Sequence, residues 1–234
     1  MSYLSRINAV ALLILATASP SWAQEESPAA CSVSVASLSA SEAPITLVWS
    51  DYGEEFDSYL GVPAISNGPG DSEKYYQCTE YVHRYLNETF GVETALGMGL
   101  GHGKDLARNI GERFADQSYS SEVLPSTEVS LQYFENGSSG CLPSTGSVVS
   151  MEIGRYGHVA VIRDMIEMDD GSRKATFIAQ HGGMYNSVGA TIRPGEMTFV
   201  QSDDGTWSGS WKSPLNNTYD AVGWLVPVEE ARAE

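Results

Sequence analysis

The side chains with the greatest capacity for covalent chemistry in this chain are three cysteines and four histidines. Cys78 opens an amphipathic stretch, YYQCTEYVHRYL at 75–86, whereas Cys31 and Cys141 lie among small and turn-forming residues. A thiol attacks a carbonyl only as its thiolate. An enzyme therefore has to lower the thiol pKa, and a helix N-terminus beside an imidazole does so. Cys78 has the helix start. His158, the first residue of a strand in GRYGHVAVIRDM, offers the imidazole from a rigid element. A third polar group must then orient the ring, and FIAQHGG carries Gln180 and His181 at the tip of the following strand. Taken singly, a lone cysteine is usually an inert small hydrophobe and a lone histidine a polar strand end. Taken in order, helix-borne Cys, strand-borne His and strand-borne polar group make a nucleophilic site the better account.

Other chemistries fit less well. GMGLGHGKD at 97–105 invites a phosphate-loop reading, but Met98 stands where the first glycine should be and Asp105 where Ser or Thr is needed. His102 occupies the third glycine position of a dinucleotide loop, so a surface loop bordering a site is expected instead. His83, His102, His158 and His181 form no i,i+4 pair and no HExxH. The Asp-rich turns lack the ligand spacing of a calcium loop. Neither a metal nor another cofactor is expected. The formal net charge of -17 disfavours nucleic acid and anionic membranes as partners, and suits a neutral or cationic substrate.

The elements that must position these residues follow from the pattern. Residues 1–23 have Arg6, an apolar run from Ala9 to Ala16, and a small-x-small ending at Ala23, the layout of a signal peptide. Export to a periplasmic or extracellular space is expected, with no membrane anchor. Removing 23 of 234 residues leaves 211, enough for one domain. In an oxidising compartment Cys31 and Cys141 are expected to pair, leaving Cys78 as the odd thiol. Residues 24–44 form a flexible lead-in, and 45–228 the folded domain, expected to be a monomer. A strand is expected at 45–49 and a loop from 50 to 74. Helical spacing puts Cys78, Tyr81, Val82, Tyr85, Leu86 and Phe90 on one side, with Glu80, His83, Arg84 and Asn87 opposite. A second helix is predicted at 104–114. Strands are predicted at 147–151, 158–168, 175–181, 197–201 and 221–226, with turns at 169–171 and 203–205. Helices followed by antiparallel strands indicate an α+β domain.

At this point the chain resembles a known family. YQCTEYVHRYL looks like the Gln-Cys-Thr/Ala-x-Tyr/Phe-Val signature of CHAP domains, the cysteine, histidine-dependent amidohydrolases/peptidases. GSVVSMEIGRYGHVAVIRDM is similar to their Gly-Asp-Val … Gly-His-Val-Ala-Val-Ile motif. The resemblance spans about residues 55–226. It implies a papain-like fold with N-terminal helices packed on a central antiparallel sheet. It also implies Cys78 as nucleophile, His158 as general base and then acid, and backbone N–H groups at the helix start as the oxyanion site, with help from Gln77 or Tyr76. Family members cleave amides, commonly in peptidoglycan peptides, and one branch acts on polyamine conjugates. An exported cysteine amidase/endopeptidase acting on peptidoglycan is therefore expected. The alternatives are an amidase on a small soluble amide or a non-catalytic binding domain. Two departures stand out. Ser147 replaces the Asp of the second motif, and Ala179-Gln180-His181 replaces the usual Glu-Gln-Asn, so the carboxylate is missing and His181 takes the orienting position.

Overall fold

The computed structural model describes residues 47–48, 51–67, 75–115, 118–120, 127–180, 191–192, 196–212 and 217–231. The expected signal peptide, lead-in, Cys31 and His181 lie outside the described residues, and so does the Cys31–Cys141 pairing. Along the chain run β1 (Leu47–Val48), β2 (Glu55–Tyr59), β3 (Val62–Ile65), α1 (Cys78–Phe90), α2 (Gly103–Phe114), β4 (Ser118–Ser120) and β5 (Thr127–Glu135). There follow β6 (Val148–Met151), β7 (His158–Glu167), β8 (Arg173–Ile178), β9 (Thr191–Ile192), β10 (Glu196–Gln201), β11 (Trp207–Lys212) and β12 (Thr218–Ala231).

The two helices form where the apolar spacing places them. α1 stops at Gly91, which adopts φ 71; its N–H donates to Asn87 O, and Val92 N–H donates to Leu86 O, capping the free carbonyls. Eight strands form one antiparallel sheet in the order β11-β10-β8-β7-β6-β12-β5-β4, while β1 pairs with β9 and β2 with β3. The α+β expectation holds, with a correction to the shape of the sheet. β11 also pairs with the start of β12, through Trp211 opposite Tyr219 and Ser210 opposite Asp220, which closes six strands into a barrel. The rest of β12 continues past the closure and pairs with β5.

The closed barrel explains two cores. Val149, Met151, Ala160, Ile162, Phe177, Met197, Phe199, Trp211 and Trp224 fill its interior. Val148, Val159, Val161 and Ile178 point the other way, onto Tyr81, Tyr85, Leu86, Leu106 and Ile110 of the helices. Successive side chains of a strand face opposite sides. β6 and the start of β7 therefore bury both faces, and read as unbroken apolar runs rather than alternating ones.

The hairpins use a shared device. Asp170 Oδ1 accepts from Ser172 N (3.0 Å) and Ser172 Oγ (2.6 Å), and Asp204 Oδ1 accepts from Thr206 N (3.0 Å) and Thr206 Oγ1 (2.8 Å). These bonds hold both carboxyls below their ordinary range. The turn expected at 203–205 leads to β11, a return strand whose Gly, Ser and Lys content hid it. The loop expected over 50–74 contains the β2–β3 hairpin, and β4 and β5 were also unforeseen. A register shift in β7 between Ile162 and Asp164 brings Arg163 onto that hairpin, with Nη1 and Nη2 gripping Asp57 at 2.9 and 2.8 Å.

Candidate active site

Cys78 is the first helical residue of α1, preceded by Gln77 in extended conformation (φ -97, ψ 168). The opening N–H groups of a helix have no intrahelical acceptor. Those of Cys78 and Thr79 lie near the Cys78 sulfur, and so does the N–H of Val159 from β7, close enough to favour the thiolate. The sulfur is a free thiol held against the residue that follows His158. Burial pushes the thiol pKa up, and the three N–H groups pull it back without cancelling that effect. The residue as a whole keeps partial exposure, so the barrier to thiolate formation is local desolvation, not inaccessibility.

His158 begins β7 opposite Met151 and is buried, its ring centroid 6.4 Å from that of Trp211. Its position depends on two glycines. A Cβ at Gly103 would lie 2.9 Å from both Cα and C of His158. One at Gly157, where φ is +66, would lie 2.3 Å from Lys104 Cβ and 2.7 Å from Met151 O. Helix α2 therefore rests directly on the His158 backbone. Ser150 pins it there, accepting from Ala107 N at 3.1 Å and donating to Gly103 O at 2.7 Å. The glycine-rich stretch around Gly101 and Gly103 thus borders the site as expected, as a packing device. His102, the N-cap residue of α2, packs edge-on against Tyr156 at 4.8 Å.

Of the expected site residues, the structure brings Cys78 and the His158 strand together and gives Gln180 a different place. Gln180 is fully buried, with Oε1 accepting from Ile65 N (2.7 Å) and Arg84 Nη2 (2.8 Å). Its Nε2 donates to Glu80 Oε2 (2.6 Å) and Gln77 O (3.2 Å). An amide has two acceptor and two donor positions, and all four are used without His158. The expectation that Gln180 orients the imidazole is therefore corrected: Gln180 lies two residues past the end of β8, where its amide faces α1. Tyr76 is held by Asn67, whose Oδ1 accepts from Tyr76 N at 2.9 Å and whose Nδ2 donates to Tyr76 O. The Tyr76 ring meets Tyr52 at 5.4 Å and Tyr75 at 5.1 Å, forming an aromatic rim before the cysteine. Gln77 contributes its carbonyl, which also accepts from Tyr81 N at 3.1 Å.

Glu80, Arg84 and Asn67 went unforeseen as site residues. Glu80 and His83 were placed on the solvent side of α1, yet both are buried. The helix is covered on a second side by β3 and the end of β8, which periodicity alone does not reveal. The signal available was a Glu–Arg pair at i,i+4; here Arg84 Nε sits 2.8 Å from Glu80 Oε1.

His83 carries its own consequence. Its Nδ1 is buried with no hydrogen-bond partner among the described residues, and burial holds its pKa below the ordinary value despite an opposing pull from Glu80. A depressed value means the unfolded chain takes up a proton before the folded one. Stability is thus present above about pH 6.5 and lost as pH falls through the folded value. Thermal midpoints of wild type should drop on acidification below about pH 6.5, and His83→Leu should flatten that limb. An unchanged limb would show that His83 does not carry it.

Among the described residues no group of His, Cys, Asp and Glu is placed to hold a metal ion, and no helix is long and apolar enough to cross a membrane. No curated relative matches the chain. Residues 68–181, which include Cys78, His158, Gln180 and His181, match the family model of the CHAP domain, and that segment is a CHAP domain.

Proposed function

We propose that this protein is an exported cysteine amidase/endopeptidase that hydrolyses amide bonds in peptidoglycan peptides through an acyl-enzyme on Cys78. CHAP domains are in general amidase or peptidase hydrolases. The observation that carries the cysteine mechanism is the seat of the Cys78 sulfur, at the N-terminus of α1 and against the N–H of the residue after His158. In this reading His158 takes the thiol proton, and the thiolate attacks the amide carbonyl. The N–H groups at the helix start receive the developing oxyanion, and His158 returns the proton to the leaving amine. Water then releases the acid product. A helix-borne Cys facing a strand-borne His is a papain-like arrangement. His181 remains the proposed orienting residue, and the Cys31–Cys141 disulfide and a monomeric state belong to the same reading.

The exposed rings of Tyr52, Tyr75 and Tyr156 offer flat surfaces for a bulky substrate beside both reactive residues. A second reading, an amidase on a small cationic amide, is favoured by the net charge of -17. Incubation with purified sacculi should release new primary amines, whereas a polyamine amide conjugate should be left intact. Turnover of the conjugate with inert sacculi would reverse the choice.

A further inference from the structure

The carboxylate missing from the strand beside Gln180 is supplied by α1. Glu80 Oε2 accepts from Gln180 Nε2 at 2.6 Å, and Arg84 bridges the pair from the other side, with Nε 2.8 Å from Glu80 Oε1 and Nη2 2.8 Å from Gln180 Oε1. Ile65 N–H occupies the remaining acceptor site of that oxygen. The Gln180 amide therefore has one orientation. Reversing it would face Nε2 toward two donors and Oε1 toward a carboxylate and a carbonyl.

What that fixed amide grips is the carbonyl of Gln77, at 3.2 Å. A peptide unit is planar and trans, so the Gln77 carbonyl and the Cys78 N–H belong to one rigid plate and point in opposite directions. The Cys78 N–H is one of the backbone groups near the Cys78 sulfur that favour negative charge there. Holding the oxygen at one end sets the direction of the N–H at the other.

We infer that Glu80, Arg84 and Gln180 form an oxyanion clamp, in which Gln180 is a positioning residue that fixes the Gln77–Cys78 peptide so that the Cys78 N–H meets the developing oxyanion. This inference rests on the cysteine-hydrolase reading above and adds roles for three residues that do not touch the substrate. The clamp belongs to the stage at which negative charge forms on a carbonyl oxygen, and not to the stage at which the thiol loses its proton.

Two reactions of Cys78 separate those stages. Alkylation by iodoacetamide displaces iodide from carbon and forms no oxyanion, so its rate follows thiolate fraction and access. Acylation by p-nitrophenyl acetate passes through a tetrahedral oxyanion: the thiolate adds to the carbonyl and p-nitrophenolate leaves. With Cys78→Ala as background, Gln180→Met should cut acylation on the order of 10²-fold, as loss of an oxyanion donor does. Alkylation across pH should stay within about twofold of wild type. Glu80→Gln keeps an acceptor oxygen but loses the ion pair, and should give a smaller loss, about tenfold, with the same selectivity for acylation. It also serves if Gln180→Met does not fold, as judged by circular dichroism. Parallel losses in both reactions, or no loss in either, would overturn the clamp while leaving the hydrolase reading standing. A wild-type Cys78 that alkylates but takes no acetyl group overturns both.

Discussion

Cys78→Ala is expected to reduce amide hydrolysis by a factor on the order of 10⁴ or more, while the thermal midpoint stays within a few degrees of wild type. Two facts make the effects on rate and stability so unequal. The substitution removes a single sulfur from a partly exposed helix start, which leaves little cavity behind. The same sulfur lies at the start of α1, near three backbone N–H groups that favour its thiolate. His158→Ala should cost nearly as much, for a separate reason. Burial already pushes the Cys78 thiol up, so a neutral thiol is the resting form unless a base takes its proton. Without the imidazole, iodoacetamide should label Cys78 only as pH rises above the free-thiol value of about 8.5. Wild type should be labelled at lower pH. Full hydrolysis by Cys78→Ala would end the enzyme proposal. Identical labelling profiles for wild type and His158→Ala would instead favour a non-catalytic binding domain.

Gly157→Ala is the second large effect, and it acts through the backbone. Gly157 has φ +66, a region that side-chain-bearing residues rarely adopt. An added methyl would lie 2.3 Å from Lys104 Cβ, 2.6 Å from Lys104 N and 2.7 Å from Met151 O. Two of these atoms are backbone and cannot swing aside. Strain and overpacking together should cost about 2–5 kcal/mol. That is a large fraction of the roughly 5–15 kcal/mol by which domains of this kind are stable. Whatever protein still folds must shift α2 or the start of β7, and His158 is the adjoining residue. Denaturant unfolding should show the stability loss, and hydrolysis should fall by more than the unfolded fraction accounts for. Near-wild-type stability would mean that α2 and β7 are less tightly apposed than Gly103 and Gly157 indicate. By contrast Gly91→Ala at the end of α1, with open space around it, should cost only the φ penalty of about 1–2 kcal/mol.

Much of the site was legible before any coordinates. Both helices, five of the sheet strands and the two Asp-rich turns follow from spacing and turn chemistry, because those signals are local. Cys78 at a helix start and His158 at a strand start follow for the same reason, and the CHAP match at 68–181 covers both. The motifs alone suggested a wider span, 55–226. Of the unforeseen strands, β2, β3 and β4 are short, with Pro, Ser, Asp or Glu among few apolar positions, whereas β5 and β11 do alternate, through Val129, Leu131 and Tyr133 and through Trp207 and Trp211, amid polar residues typical of loops. They are strands because partner strands complete their hydrogen bonds.

Gln180 shows the same division at the scale of one residue. Sequence order placed it beside His158, on the strand after the histidine strand, and its polar amide suited an orienting role. It lies two residues beyond β8, so the way it faces follows from how β8 ends, and that is set by the pairing of β7 with β8, including the shift between Ile162 and Asp164. A displacement of one residue would turn Gln180 toward the barrel interior. The observed pairing turns it toward Glu80 and Gln77. Chemical identity and local spacing therefore singled out the candidate reactive groups, since these are properties of the residues themselves. Only the tertiary structure decided which groups hold them, because burial and facing are set by partners that lie about a hundred residues away.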